Sequence, residues 1–319
     1  MSILIHNCTA VLMDEAGTVL PNAYVVVEGT KIRSVSTQRP WGSFEEQIDG
    51  RGNVLMPGFV NAHSHVPMTA MRGYGDGNNL QDWLHNYIFP VEARWDDRAI
   101  RACTDLGLAE MIASGVTTIA DMYGHTDAVA QEVAASGISA NLCCGGVQFT
   151  DTFDPATHHD CVVQRELTEK WHGYNDGQIL VDASIHGEYT SHHPLWQWMA
   201  DYAREHGLVY DLLEATDLPI WHFRPTHMSR WQSEAAAFAR KGGMVDFTAN
   251  ADPEKCALPV LRTMEEAPLE RITISSDAGG SMPRWSEDHC TMLGMGVGKM
   301  DNLLPTIRCL VREHRVPPE

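Results

Sequence analysis

Short apolar runs alternate with longer amphipathic stretches along most of this chain. From position 53 onward, residues 54–60 read as a buried strand leading into Asn61-Ala62-His63-Ser64-His65. Beyond it, apolar positions at helical spacing predict helices over 98–114, 128–136, 161–171, 194–206, 233–240 and 260–266. Between them, compact β-rich runs predict strands over 116–120, 138–143, 179–185, 244–248 and 272–275. Strands that alternate with helices require crossover connections, and therefore a parallel sheet. Their number favours an α/β fold of the (β/α)8-type (TIM) barrel over an open sheet. In such barrels the chemistry gathers at the C-terminal ends of the strands, which is where the polar residues of this chain fall.

The first 55 residues follow a different pattern. Residues 2–12 and 24–27 are β-rich, and Glu28-Gly29-Thr30-Lys31 is a turn leading into 32–35. The chain is therefore expected to divide into a small β domain over 1–55 and a barrel over 56–319.

With 319 residues and 44% hydrophobic content, the chain can bury a core of that size. Net charge is −19, which argues against nucleic acid and anionic membrane surfaces as partners and leaves a small molecule as the expected substrate. Eight scattered cysteines without a Cys-x-x-Cys motif suggest a reduced, cytoplasmic protein. The N-terminus has no signal-peptide pattern, and no apolar run approaches the roughly 20 residues that span a bilayer. Self-association into a homo-oligomer is left open.

His63 and His65 are the first candidates for chemistry. Side chains at i and i+2 on a strand face the same way, so both imidazoles can meet one ion; the competing account is two unrelated loop histidines. Asp277 ends the apolar run 272–275 and can ligate a metal and accept a proton from water, or serve as a helix cap. The pairs His158-His159 and His192-His193 are expected to be solvated, and the methionine-rich stretch 292–300 to be packing.

The segment Pro57-Gly58-Phe59-Val60-Asn61-Ala62-His63-Ser64-His65 resembles the first-strand signature of the amidohydrolase superfamily. With Met71-Arg72-Gly73, residues 83–92, Gly115-Val116-Thr117-Thr118 and 186–190, the first 207 residues are similar to S-adenosylhomocysteine/5′-methylthioadenosine deaminases and chlorotriazine hydrolases. This resemblance implies one divalent metal ion, zinc or alternatively iron or manganese, on His63, His65 and Asp277. It implies that Asp277 is also the general base. His227, in Arg224-Pro225-Thr226-His227, resembles the sixth-strand histidine that binds metal or polarises water or substrate. His186 matches a substrate-contacting histidine, although Glu188 stands where the family has proline. Trp83 and Glu92 match a segment over the pocket whose glutamate holds ribose hydroxyls.

From about residue 209 the resemblance shifts to isoaspartyl dipeptidases, carried by 210–214, Pro225-Thr226-His227, 238–243 and Ser275-Ser276-Asp277, so the chain looks like a composite. The deaminases' fifth-strand His-x-His-x-x-Glu segment has no counterpart after Gly207-Leu208, and 209–215 read as helical. The barrel is thus expected to have a missing or irregular fifth strand. Loss of that glutamate predicts weak turnover, since such groups contribute about 10²–10⁴-fold each. The strand 179–185 holds no lysine for a bridged two-metal site. The chain also ends without the segment that usually completes the small domain, so the strands of 1–55 are expected to lack partners. The expected activity is hydrolysis of C–N bonds, first as deamination of an adenosine-like purine. The alternatives are a β-aspartyl dipeptidase and a catalytically silent metal-binding barrel.

Overall fold

Gly29, at φ +60°, and Thr30 turn the chain between two antiparallel strands, and Glu28 pairs with Lys31 across the turn. This hairpin belongs to the first of two units in the computed structural model. The model describes all residues except 15, 79, 151, 188–189, 209–224, 279–280, 286–291 and 317–319. One unit comprises Met1–Gly58 with Val311–Glu319, the other Phe59–Leu310.

The first unit holds β1 (Ser2–Val11), β2 (Val19–Glu28), β3 (Lys31–Ser36), β4 (Glu46–Asp49) and β5 (Val54–Leu55). They form one sheet in the order β3-β2-β1-β4, with β5 also on β1. The expectation that these strands lack partners is therefore wrong. β1 is long enough to accept β2 on one side and both β4 and β5, in parallel, on the other. Leu4, Cys8, Ala10, Ala23 and Val25 are buried on it.

The expected single strand over 54–60 is split. Pro57, which has no N–H to donate, and Gly58 separate β5 from β6 (Phe59–Ser64), and the two strands join different sheets. The stretch is not buried either: Val54 is 61% and Val60 59% exposed.

In the second unit β6 is followed by α1 (Leu80–Trp83), α2 (Phe89–Glu92), α3 (Asp97–Ala113), β7 (Val116–Met122), α4 (Thr126–Ser136), β8 (Ser139–Cys143), α5 (His159–Trp171), α6 (Tyr174–Gly177), β9 (Ile179–Val181) and α7 (His193–His206). After the undescribed stretch come α8 (Gln232–Arg240), β10 (Val245–Thr248), α9 (Glu254–Met264), β11 (Ile272–Ser275), β12 (Ser281–Trp285), β13 (Met292–Val297) and α10 (Leu303–Arg308). Local signals set several boundaries. The Asp96 carboxylate accepts from Ala99 N at 2.9 Å to cap α3. Gly207, at φ +67°, ends α7, and Leu208 N donates to Ala203 O. The helix expected over 260–266 begins six residues earlier despite Pro259, because Cys256, Ala257, Val260 and Thr263 form one buried stripe.

β6, β7, β8 and β9 form a parallel sheet, as do β10 and β11. A bridge between Ser64 and Ala278, with His65 N donating to Ala278 O at 3.0 Å, joins the end of β11 to the end of β6. Among the described residues six parallel strands thus run β10-β11-β6-β7-β8-β9 with helices packed on them, a (β/α) barrel of the TIM type. Both the missing or irregular fifth strand and the helix expected over 209–215 fall on residues outside those described. The stretch 292–300, expected as packing, has β13 as its backbone and buries Met300.

Candidate metal centre

The ends of β6 and β11 lie side by side because Asn61 and Ser276 lock them together. The Asn61 amide donates to Ser276 Oγ at 2.8 Å, and Ser276 N donates to Asn61 Oδ1 at 2.9 Å, both buried. Two residues beyond Asn61 and one beyond Ser276, the chain carries its metal-ligand candidates. His63 Nε2 and His65 Nε2 each lie 3.5 Å from Asp277 Oδ1, and His227 Nε2 lies 4.0 Å from Asp277 Oδ2. The His63 ring stands nearly perpendicular to those of His65 and His227, with centroids 4.8 and 5.4 Å away. His63, His227 and Asp277 offer ligand atoms within 4.8 Å of one another.

Hydrogen bonding prepares these groups. His65 Nδ1 lies 2.8 Å from the Met122 carbonyl. A carbonyl only accepts, so Nδ1 carries the proton and Nε2 presents its lone pair towards Asp277. His227 Nδ1 is 2.7 Å from Thr248 Oγ1. Both His227 (φ +58°) and Asp277 (φ +46°) occupy the left-handed region, uncommon outside glycine although Asp and His enter it more readily than most residues. Gly298 helps impose this at Asp277: any Cβ there would stand 1.9 Å from the Asp277 carbonyl oxygen.

The site is short of positive charge. Asp277 is 2% exposed, and its Oδ1 has no hydrogen-bond partner. Burial, helped by the nearby Asp246 carboxylate, pushes its carboxyl well above the usual range. Burial holds the His65 imidazole down, as it does His186 and His227, both to about 4 with a further push from His65. His227 is half exposed to the pocket mouth, so its depression is the least firmly enclosed of the three. An orphaned buried carboxylate oxygen facing neutral imidazoles suits a divalent cation, which would satisfy the oxygen and balance the charge.

The structure brings all seven sequence candidates to one cavity of about 650 Å³: His63, His65, Trp83, Glu92, His186, His227 and Asp277. Trp83 is buried, with its indole N–H on the Tyr74 carbonyl at 3.0 Å. Glu92 accepts from the Tyr123 hydroxyl at 2.5 Å, and burial raises its carboxyl. His186 Nδ1 is 3.0 Å from Thr190 Oγ1. Two expectations are corrected. His65 lies beyond the end of β6, and the β6–β7 register shifts between Asn61 and Ser64, so the two imidazoles do not converge by simple strand alternation. The sixth strand expected before His227 falls on residues outside those described; next to them, the Pro225 carbonyl accepts from Asp246 N of β10. His159 is exposed as expected, but His158 is half-buried with its ring 5.4 Å from that of Phe153.

Sequence reasoning passed over Asp121, Asp246 and Asn61. Asp246 is fully buried and accepts from Ser275 Oγ and Thr273 Oγ1. Asp121 is pushed up to about 7 by burial, against bonds from Val66 N and Ser64 Oγ that pull it down. The available signal was a carboxylate inside an apolar strand, as in Val245-Asp246-Phe247.

Residues 54–212 match the model of the amidohydrolase family. The chain carries an amidohydrolase-family domain. Among its relatives is a 5-methylthioadenosine/S-adenosylhomocysteine deaminase of Syntrophomonas wolfei, 38% identical over 191 residues, or 60% of this chain and 43% of the relative. A 5′-deoxyadenosine deaminase of Methanosphaera stadtmanae is 34% identical over 207 residues, or 65% of this chain and 47% of the relative. The chain spans less than half the length of these relatives. The amidohydrolase fold is also that of solved structures at low identity. A triazine hydrolase from Arthobacter aurescens aligns with TM-score 0.68 at 18% identity, covering 86% of this chain and 71% of that one. A zinc-bound adenosine deaminase from Xanthomonas campestris aligns with TM-score 0.68 at 20% identity, covering 86% and 69%. Among the described residues no helix is long and apolar enough to cross a membrane.

Proposed function

We propose that this chain is a metal-dependent hydrolase of C–N bonds that deaminates an adenosine-like purine. The observation that carries the reading is the convergence of three imidazoles on the buried, unsatisfied Asp277 carboxylate at one cavity. His63, His65, His227 and Asp277 would hold one divalent ion, zinc by preference. When bound, that ion supplies the Lewis acidity that makes a water nucleophilic near neutral pH.

The chain's own groups do the rest. Asp277 accepts the proton of the attacking water. The water oxygen bonds to the amino-bearing ring carbon, Asp277 passes the proton it took to the amino nitrogen, and the C–N bond breaks to release ammonia. His186 and His227 orient the ring. Glu92, held by Tyr123, accepts from ribose hydroxyls, and Trp83 forms an apolar wall. The deaminase names of the relatives support this substrate class. Free thiols at every described cysteine support a reducing compartment, the ground on which a cytoplasmic location is proposed. Turnover is expected to be slow, because the fifth-strand glutamate has no counterpart in the sequence.

The test is metal analysis with an ammonia assay on S-adenosylhomocysteine, 5′-methylthioadenosine and 5′-deoxyadenosine. Stoichiometric zinc with ammonia release supports the reading. Aspartate release from β-aspartyl-leucine would replace it with a dipeptidase, and bound zinc with neither product with a silent barrel.

A further inference from the structure

We propose that Asp121 is a positioning residue, whose carboxylate pins an irregular bend at the end of β6 and thereby aims His63 and His65 at one point. This rests on the reading that those histidines hold the metal.

The register of β6 against β7 pairs Asn61 with Ile119, then Ser64 with Asp121. Three steps along β6 match two along β7, so one residue is extra and the ladder is broken beneath His63. Such bulges re-aim side chains, but the ladder no longer dictates the backbone there. Something else must hold it, and the contacts supply it. Asp121 Oδ1 accepts from Val66 N at 2.7 Å and from Ser64 Oγ at 3.0 Å, the two residues that bracket His65. Ser64 Oγ also lies 2.9 Å from the Ala120 carbonyl, and the Met122 carbonyl accepts from His65 Nδ1. Three successive residues of β7 thus grip three successive residues around the bend; on the β7 side Ala120 and Met122 use their carbonyls and Asp121 its side chain.

A carboxylate at 3% exposure needs such a role to offset its desolvation. Its preceding neighbour on the same face of β7 is apolar: Ile119 is 1% exposed. Aliphatic packing would serve the core there equally well. It could not accept from Val66 N, whose N–H would be stranded where the ladder has ended.

The experiment measures zinc affinity by chelator competition on metal-stripped protein, with the visible spectrum of the cobalt-loaded form and the melting of the metal-free form alongside. Asp121→Ala should weaken zinc binding about 10–100-fold, the usual cost of losing an outer partner of a metal ligand, and shift the cobalt bands. Asp121→Asn keeps an acceptor oxygen and should recover most of that loss. Ser64→Ala deletes one bond and should fall between parent and Asp121→Ala. A purely structural role lowers the melting temperature of the metal-free protein and leaves zinc affinity and the cobalt spectrum at parent values; that result overturns the proposal. If Asp121→Ala does not fold, parent affinity in Ser64→Ala overturns it instead. A parent chain that takes up no zinc overturns the metal reading and this inference with it, whereas a zinc-binding parent matched by both variants overturns this inference alone.

Discussion

Asn61 and Ser276 exchange two buried hydrogen bonds across the seam between the first and last parallel strands, 215 residues apart in sequence. One residue beyond Ser276 lies Asp277, and two beyond Asn61 lies His63. The lock therefore sets the distance between a carboxylate and an imidazole that share no local structure. Replacing Asn61 with alanine strands the Ser276 N–H, at a cost of about 1–3 kcal/mol for a buried group left unpaired, while Ser276 Oγ keeps the bond from Ala278 N. Urea denaturation of Asn61→Ala should show that loss with an unchanged slope, together with weaker zinc binding. Parent stability would mean that the seam is held elsewhere.

The His63→Ala/His65→Ala double variant should lose stoichiometric metal. Both ring nitrogens approach the same Asp277 oxygen, so removing them leaves at most two ligands of the four. Elemental analysis after gel filtration decides the matter, and retention of a full equivalent would remove the central claim.

Asp277→Asn keeps the side chain's size and abolishes its basicity. Ammonia release should fall by about 10²–10⁴-fold, the usual contribution of a general base. Near-UV circular dichroism should stay at the parent signal. A variant that folds and turns over at the parent rate excludes Asp277 as the base.

Glu92 is assigned to the sugar and not to the base. Glu92→Gln should therefore raise KM for adenosine-like nucleosides while leaving that for the free base unchanged. Equal effects on both would place Glu92 at the reacting end of the cavity.

Burial and His65 hold the His186 imidazole down to about 4, against an ordinary value of 6.5. Between those values the unfolded chain binds a proton that the folded chain refuses. The stability associated with neutral His186 is in place above about pH 6.5, declines as pH falls through the window and levels off below about pH 4. Thermal melts of metal-free protein from about pH 8 to about pH 4 should fall more steeply for the parent than for His186→Asn. Identical slopes would sink the assignment.

Much of this protein could be read from the sequence, for physical reasons that are local. The alternation of β-rich runs with amphipathic stretches placed β7, β8, β10, β11 and α3, α4, α5, α7 and α8 within a few residues. Periodicity is written in neighbouring side chains and needs no long-range information. The His-Ser-His segment and the aspartate after Ile272–Ser275 stood out as polar groups at the ends of apolar runs, and the resemblance to the amidohydrolase superfamily is what read them as a candidate metal centre.

What lay between distant segments did not show. No spacing rule places Asn61 against Ser276, or Asp121 beneath Ser64 and Val66, because those contacts arise only when β6, β7 and β11 lie side by side. The division of 54–60 between two sheets depended on which neighbour each half found. The convergence of His63 and His65 was expected from the two-residue repeat of a strand, but it arises at a register break beyond which side-chain bonds replace the ladder. The sequence alone determined the kind of fold and the identity of the ligand candidates. The tertiary structure decided how they are aimed, because the direction of a buried side chain is set by partners far away along the chain.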